Sequence, residues 1–299
     1  MESFVYRRDL LSASVLIELS RRSDYYGFVH LLLHLLAIAA TGSLVWISYG
    51  SWWLIPAWIS YGVILTFLFA PLHESTHGTA FRTPLLNKSF AAAAGFLLFL
   101  PANYFRRFHF AHHRYTNNPD RDPELQSSKP STISQYVWSM TGLGSYWWPQ
   151  IRMIALYSCG KVKDSFIPES EIPKVIKEAR IHAFAYIAAI VGSVLTQNLA
   201  ILIFWFVPVL LGMVALRMFL LAEHAGCEQT SNMIRNTRTT LTHSAIRRLA
   251  WNMPFHCEHH LFPSVPFHRL PQLHEHVKHH IKVVSPGYKK FHSDYIQSL

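Results

Sequence analysis

The sequence predicts an all-α integral membrane protein, with four transmembrane helices in two hairpins and a helical cap on one side of the bilayer. Three observations predict it. Hydrophobic residues are 51% of the 299 and charged residues only 15%, against roughly 25% charged in a soluble globular chain. The apolar residues are gathered into four long stretches. The short tips that join these stretches in pairs hold no Lys or Arg. The same composition excludes disorder, a collagen-like repeat and a coiled coil.

The elements follow in order. Residues 28–48 and 52–72 carry no formal charge, and each has about the 20 residues needed to cross a hydrocarbon core. Only Tyr49, Gly50 and Ser51 separate them, which makes a first hairpin. Segment 73–180 follows. Within it residues 90–101 are apolar but too short to span, and read as a re-entrant or interfacial helix. Residues 182–198 are uncharged and 201–222 carry only Arg217, a second hairpin joined by Leu199 and Ala200. Segment 223–299 closes a single membrane domain, 1–299.

Charge orients these elements. Arg7, Arg8, Arg21 and Arg22 precede the first hairpin, and both long segments are rich in Lys and Arg. Positive-inside asymmetry then places both termini and both long segments in the cytoplasm. The net charge of +10, from 27 basic against 17 acidic residues, is thereby a matter of topology. No aromatic-and-basic module points to nucleic acid. Residues 1–26 lack the apolar run of a cleavable signal. Cys159, Cys227 and Cys257 are scattered without a CxxC pair, which fits a reducing compartment.

Nineteen histidines outnumber the carboxylates, and three clusters lie in the long segments. His73-Glu-Ser-Thr-His77 follows the second span, His109-Phe-Ala-His112-His113 follows the short apolar segment, and His256-Cys-Glu-His259-His260 lies beyond the fourth span. On a helix, residues three and four apart share a face, so each cluster aims its imidazoles at one region. Neutral imidazole suits Zn, Cu, Fe and Ni. Eight imidazoles exceed one tetrahedral zinc but suffice for two metals, with the third histidine of an HxxHH run turned to the second metal and the first two holding its neighbour. A di-iron centre that activates O2 is the occupant this suggests, because attack on an unactivated C–H bond needs a strong oxidant. Alone, HESTH also fits the HExxH of a zinc metalloprotease, with Glu74 as general base; two further boxes count against that reading. Two other sets share the spacing. His30 and His34 lie within the first span and read as hydrogen-bonding residues. His276, His279 and His280 lie on a charged amphipathic stretch and read as a solvated face.

The boxes HESTH, HFAHH and HCEHH, their order and the two intervening hairpins resemble the integral-membrane fatty acid desaturase and hydroxylase superfamily, over roughly residues 28–280. HHRYTNNPDRDPE and HCEHHLFPSVPFHRLP look most like bacterial desaturase-like hydrocarbon oxygenases, which implies a bacterial inner membrane. The resemblance implies a further metal-binding histidine after the fourth span, assigned to His224, with His243 its competitor. The implied metal set is therefore His73, His77, His109, His112, His113, His224, His256, His259 and His260, holding two Fe ions with O2 as co-substrate and no catalytic residue beyond the metal centre. Glu74, Asp120, Asp122, Glu223 and Glu258 are candidates to accept the second N–H of these rings. The third box begins with His rather than Gln, which disfavours front-end desaturases. No fused cytochrome b5-like domain is visible, so electrons come from a separate ferredoxin, rubredoxin or cytochrome b5-like donor. Arg106, Arg107, Arg114, Arg235, Arg238, Arg247 and Arg248 offer it a basic docking face. The expected substrate is a long apolar chain reaching the metals through a tunnel. Desaturation of a fatty acyl chain is favoured over hydroxylation or ketolation of a fatty acid, hydrocarbon or carotenoid.

Overall fold

The computed structural model describes residues 10–126 and 129–299; Arg7 and Arg8 of the orienting charges lie outside them. The described chain is mostly helical. Four helical stretches are long and apolar enough to cross a membrane: Asp24–Ile47, Leu54–His77, Glu169–Leu195 and Leu202–His224. Large apolar side chains such as Leu32, Leu36, Phe184 and Ile187 stand exposed along them, a surface suited to lipid and costly in water.

A short helix α1 (Ala13–Leu19) precedes α2 (Asp24–Ile47). The second span is two helices, α3 (Leu54–Thr66) and α4 (Phe69–His77). Its break has a local cause: Pro71 has no N–H to give and its ring crowds the carbonyl four residues back, that of Phe67. Gly78, in the left-handed region at φ 72°, ends α4.

Next come α5 (Pro84–Leu97) and α6 (Ala102–Tyr115), bent by 99° to each other. The predicted short apolar segment is thus the end of one helix and the corner that leads to the next. The corner frees backbone carbonyls that apolar surroundings would leave unpaired. Aromatic side chains satisfy three in succession: Tyr186 Oη–H donates to Phe96 O (2.8 Å), Trp205 Nε1–H to Leu97 O (2.8 Å) and Tyr146 Oη–H to Leu98 O (2.5 Å).

Helices α7 (Ile133–Thr141) and α8 (Trp148–Ser158) lead to α9 (Ile172–Leu195) and α10 (Val207–His224). The third span starts earlier than 182, because Lys174, Lys177, Glu178 and Arg180 continue the same helix outward. Wide turns at Leu143–Trp147 and Leu202–Phe206 precede α8 and α10. In each case a proline, Pro149 or Pro208, lies just beyond and cannot close an ordinary helical hydrogen bond. The chain ends with α11 (Met233–Asn236), α12 (Ser244–Leu249), α13 (His256–Leu261), α14 (Leu270–Val277) and α15 (Tyr288–Gln297). One small parallel pair, β1 (Thr239–Thr240) with β2 (Val284–Ser285), ties the last segment together.

The second and fourth spans cross at a glycine pair. A Cβ on Gly62 would sit 1.9 Å from Pro208 O, and one on Gly212 would sit 2.0 Å from Gly62 O. Thr66 Oγ1–H donates to Gly212 O across the same crossing (3.1 Å). Close backbone approach of this kind is how helices associate where water does not drive them together. Gly212→Ala is therefore expected to destabilise the purified protein by about 3 kcal/mol, read as a lower thermal midpoint. Gly192→Ala, where an added Cβ meets nothing within 4 Å, should leave that midpoint unchanged.

Candidate metal centre

Four helices bring nine imidazoles together. His73 and His77 close α4, His109, His112 and His113 close α6, His224 ends α10, and His256, His259 and His260 lie on α13. They form two groups: His73, His77, His109, His113 and His259 in one, and His112, His224, His256 and His260 in the other. Within each group the facing nitrogens lie within 4.8 Å of one another.

This sorting corrects the sequence expectation for the HxxHH runs. The first and third histidines of each run stay together, and the middle one crosses to the other group. Helix geometry explains it: residues four apart are offset by about 40° around the axis, and residues three apart by about 60° the other way. The middle ring therefore diverges from the closer pair.

The ring nitrogens face one another without being able to pair. In the larger group, Nε2 of His109 lies 2.8 Å from that of His77 and 2.9 Å from that of His113, and the latter lies 3.2 Å from that of His259. Each ring nitrogen has one hydrogen or one lone pair, so His109 and His113 cannot bond both neighbours. Both ring nitrogens of His73 are buried with no hydrogen-bond partner. In the smaller group the Nδ1 partners show which way the lone pairs point. His224 Nδ1–H donates to Asn236 O (3.1 Å), and His112 Nδ1–H donates to the Asp122 carboxylate (3.0 Å). His260 Nδ1–H faces Thr116 Oγ1 (3.2 Å), whose own hydrogen goes to His112 O (2.8 Å). His256 Nδ1 lies 3.3 Å from Glu223 Oε1. Consequently the Nε2 lone pairs of His112, His224 and His260 point inward, to where Nε2 of His256 also lies, with contacts of 3.1 Å. Lone pairs at that distance repel unless a cation lies among them. Burial, aided by neighbouring imidazoles, holds His256, His259 and His260 well below the usual histidine pKa, which favours their uncharged form.

Residues 50–292 match the family model described as fatty acid desaturase. The chain belongs to that family. Among curated relatives, the sn-1 oleoyl-lipid 12-desaturase of Picosynechococcus sp. is 32% identical over 123 residues, 38% of this chain and 35% of that protein. The dihydrorhizobitoxine desaturase of Bradyrhizobium elkanii is 26% identical over 256 residues, 80% of this chain and 71% of the relative. The sphingolipid delta(4)-desaturase/C4-monooxygenase DES2 of Mus musculus is 25% identical over 224 residues, 74% of this chain and 64% of the relative. The chain thus spans about a third of the first relative's length and roughly two thirds of the other two.

The five carboxylates singled out in this desaturase-family sequence divide. Asp122 is buried, accepts from His112, and also takes the backbone N–H of Asn117 (2.7 Å). Glu223 faces His256. The other three do not meet the nine histidines. Glu74 accepts from Phe267 N–H (2.8 Å), which ties α4 to the loop after the third box. Glu258 accepts from Thr239 Oγ1–H (2.6 Å) and from His274, because its place on α13 turns it away from both groups. Asp120 is exposed in a turn whose N–H groups are held by Asn118.

Asn236 and Thr116, which sequence reasoning did not single out, hold rings through a backbone carbonyl and a hydroxyl; neither carries a local signal. Glu124 lies 3.6 Å from His112 Nδ1, and its only signal is proximity to the second box. His30 and His34 bond backbone carbonyls of Tyr26 (3.2 Å) and Ile64 (2.8 Å). His243, His276, His279 and His280 are exposed.

Two arginines of the supposed docking face are committed elsewhere. Arg106 donates to Thr76 O near the end of α4, and Arg238 donates to Ala222 O and Ala225 O (2.7 Å to the latter) at the end of α10. A cation at a helix C-terminus satisfies its last carbonyls and its dipole, so both anchor helices that carry site histidines. Arg107 and Arg235 are paired with Glu171 and Glu228.

A small cavity of about 20 Å³ reaches the histidines. It is lined by His73, His109, His112 and His256, by Glu124 and Glu223, and otherwise by apolar side chains including Phe67, Phe69, Leu216, Phe219, Leu220 and Met253.

Proposed function

We propose that this chain is an O2-dependent di-iron oxidoreductase that removes hydrogen from unactivated C–H bonds of a long apolar chain, and that its reaction is desaturation of a fatty acyl group. The observation that carries the reading is the pair of converging imidazole groups, the smaller of which has three rings held from behind by Asp122, Asn236 and Thr116. Nine nitrogens in all exceed what two tetrahedral zinc sites take. His73, His77, His109, His113 and His259 would hold one iron, and His112, His224, His256 and His260 the other. Two irons bound there supply the oxidising power, with O2, that side-chain acids and bases lack.

The protein's own contribution is placement and dryness. Phe67, Phe69, Leu216 and Phe219 line the same cavity as the imidazoles, apolar surface that positions a methylene and excludes water. The four spans are arranged as two hairpins, with the segments 73–180 and 223–299 forming a cytosolic cap and both termini cytoplasmic, in a bacterial inner membrane. Helices α9 and α10 share a short connection, although α9 packs chiefly on α8. A separate ferredoxin, rubredoxin or cytochrome b5-like protein delivers electrons. Oxygen insertion at the same site is a second reading, favoured by the relative whose name joins a desaturase and a monooxygenase.

Expression in a host with an unmodified lipid profile, followed by mass spectrometry of its lipids, tests this. The expected product is lighter by two hydrogens than its precursor. A product heavier by one oxygen atom selects hydroxylation. Unchanged lipids from protein containing one zinc and no iron would restore the metalloprotease reading.

A further inference from the structure

Arg217 is the one formal charge in residues 201–222. It lies seven residues before His224 on α10, on the same helical face and about 10 Å deeper along the axis. Its neighbours on the helix, Leu216 and Leu220, line the cavity that reaches the histidines.

Its guanidinium has no hydrogen-bond or ion-pair partner among the described residues, and its Nε is buried. The residue as a whole is half-buried. Glu124, another cavity residue, acts on it only through space. Arg106 and Arg238, by contrast, spend their donors on helix ends. A charge within a membrane span is costly unless something pairs with it, and five fixed N–H donors in a planar fork match carboxylate and phosphate oxygens.

We propose that Arg217 binds the anionic group of an amphipathic lipid, a carboxylate or a phosphate, and so holds that lipid's polar end about two helical turns from the histidines. The inference rests on the desaturase reading for the identity of the substrate, but the anion site itself does not need the metals. On this reading the imidazoles face the reacting methylene and the guanidinium holds the head.

The test uses full-length, iron-loaded protein in phosphatidylcholine nanodiscs, with binding read by native mass spectrometry. Stearate, stearyl alcohol and phosphatidylglycerol are the probes. Wild type should bind stearate about tenfold more tightly than stearyl alcohol, and Arg217→Gln should remove that difference without weakening the alcohol. If phosphatidylglycerol rather than stearate loses about tenfold in the variant, the anion is the phosphate of a bilayer lipid. If Arg217→Gln does not fold, Arg217→Lys carries the test: it keeps the charge without the fork, and stearate should weaken several-fold while the alcohol holds. Unchanged affinity for both anions in a folded variant overturns the proposal. Loss of iron or of lipid desaturation in the wild type would instead sink the desaturase reading and leave the binding comparison standing.

Discussion

His112→Ala should lower lipid desaturation below about one-hundredth of the wild-type rate, since loss of a group that merely orients a metal ligand already costs 10–100-fold. The expected effect on metal content is more specific. His112 is one of four nitrogens in the smaller group, and the five of the larger group do not include it. Iron per chain should fall from about two to about one, measured on purified protein by elemental analysis. His259→Ala removes a member of the other group and should give the same count by loss of the other ion. His276→Ala and His279→Ala alter exposed rings and should leave both activity and iron in place. Equal losses in both sets of variants would mean that the groups do not hold the metals.

Asp122→Asn is expected to weaken metal retention by 10–100-fold without unfolding the protein. The Asp122 carboxylate accepts from His112 Nδ1–H, from Asn117 N–H and from Glu124 N–H. An amide has one acceptor oxygen, so it cannot serve all three, and His112 loses the negative charge that keeps its lone pair pointed inward. The check is iron loss during timed chelator challenge, compared with wild type. Asp122→Ala goes further. It leaves buried N–H groups unsatisfied, at about 1–3 kcal/mol each, and should lower the thermal midpoint as well. Retention equal to wild type in Asp122→Asn would remove any role for this carboxylate in the site.

Much of this was legible in the residues because the signals are local. An uncharged run of span length needs no partner to be recognised, and His73 with His77 is a spacing that a helix converts directly into a shared face. His224 needed the family resemblance, since one histidine at a helix end has no spacing to read. What escaped was whatever depends on which way a side chain turns. The divergence of the middle histidines follows from helical offset, which the spacing does carry, but which group each one joins is set by how the four helices pack. Glu258 looked well placed between His256 and His259, yet its face of α13 meets His274. Arg106 and Arg238 looked like surface charge, although each ends on the carbonyls of a helix that sequence distance hides. The break in the second span did carry a signal, Pro71, which a search for uninterrupted apolar length passes over.

The two groups share a dependence on the end of the chain. His259 belongs to one and His256 and His260 to the other, so neither group is complete until α13 has been synthesised and docked against helices made far earlier. Completion of both groups is therefore a late event in the making of each molecule. It follows synthesis of all four long apolar helices, and a chain cut short before residue 256 would keep only His73, His77, His109 and His113 of one group and His112 and His224 of the other.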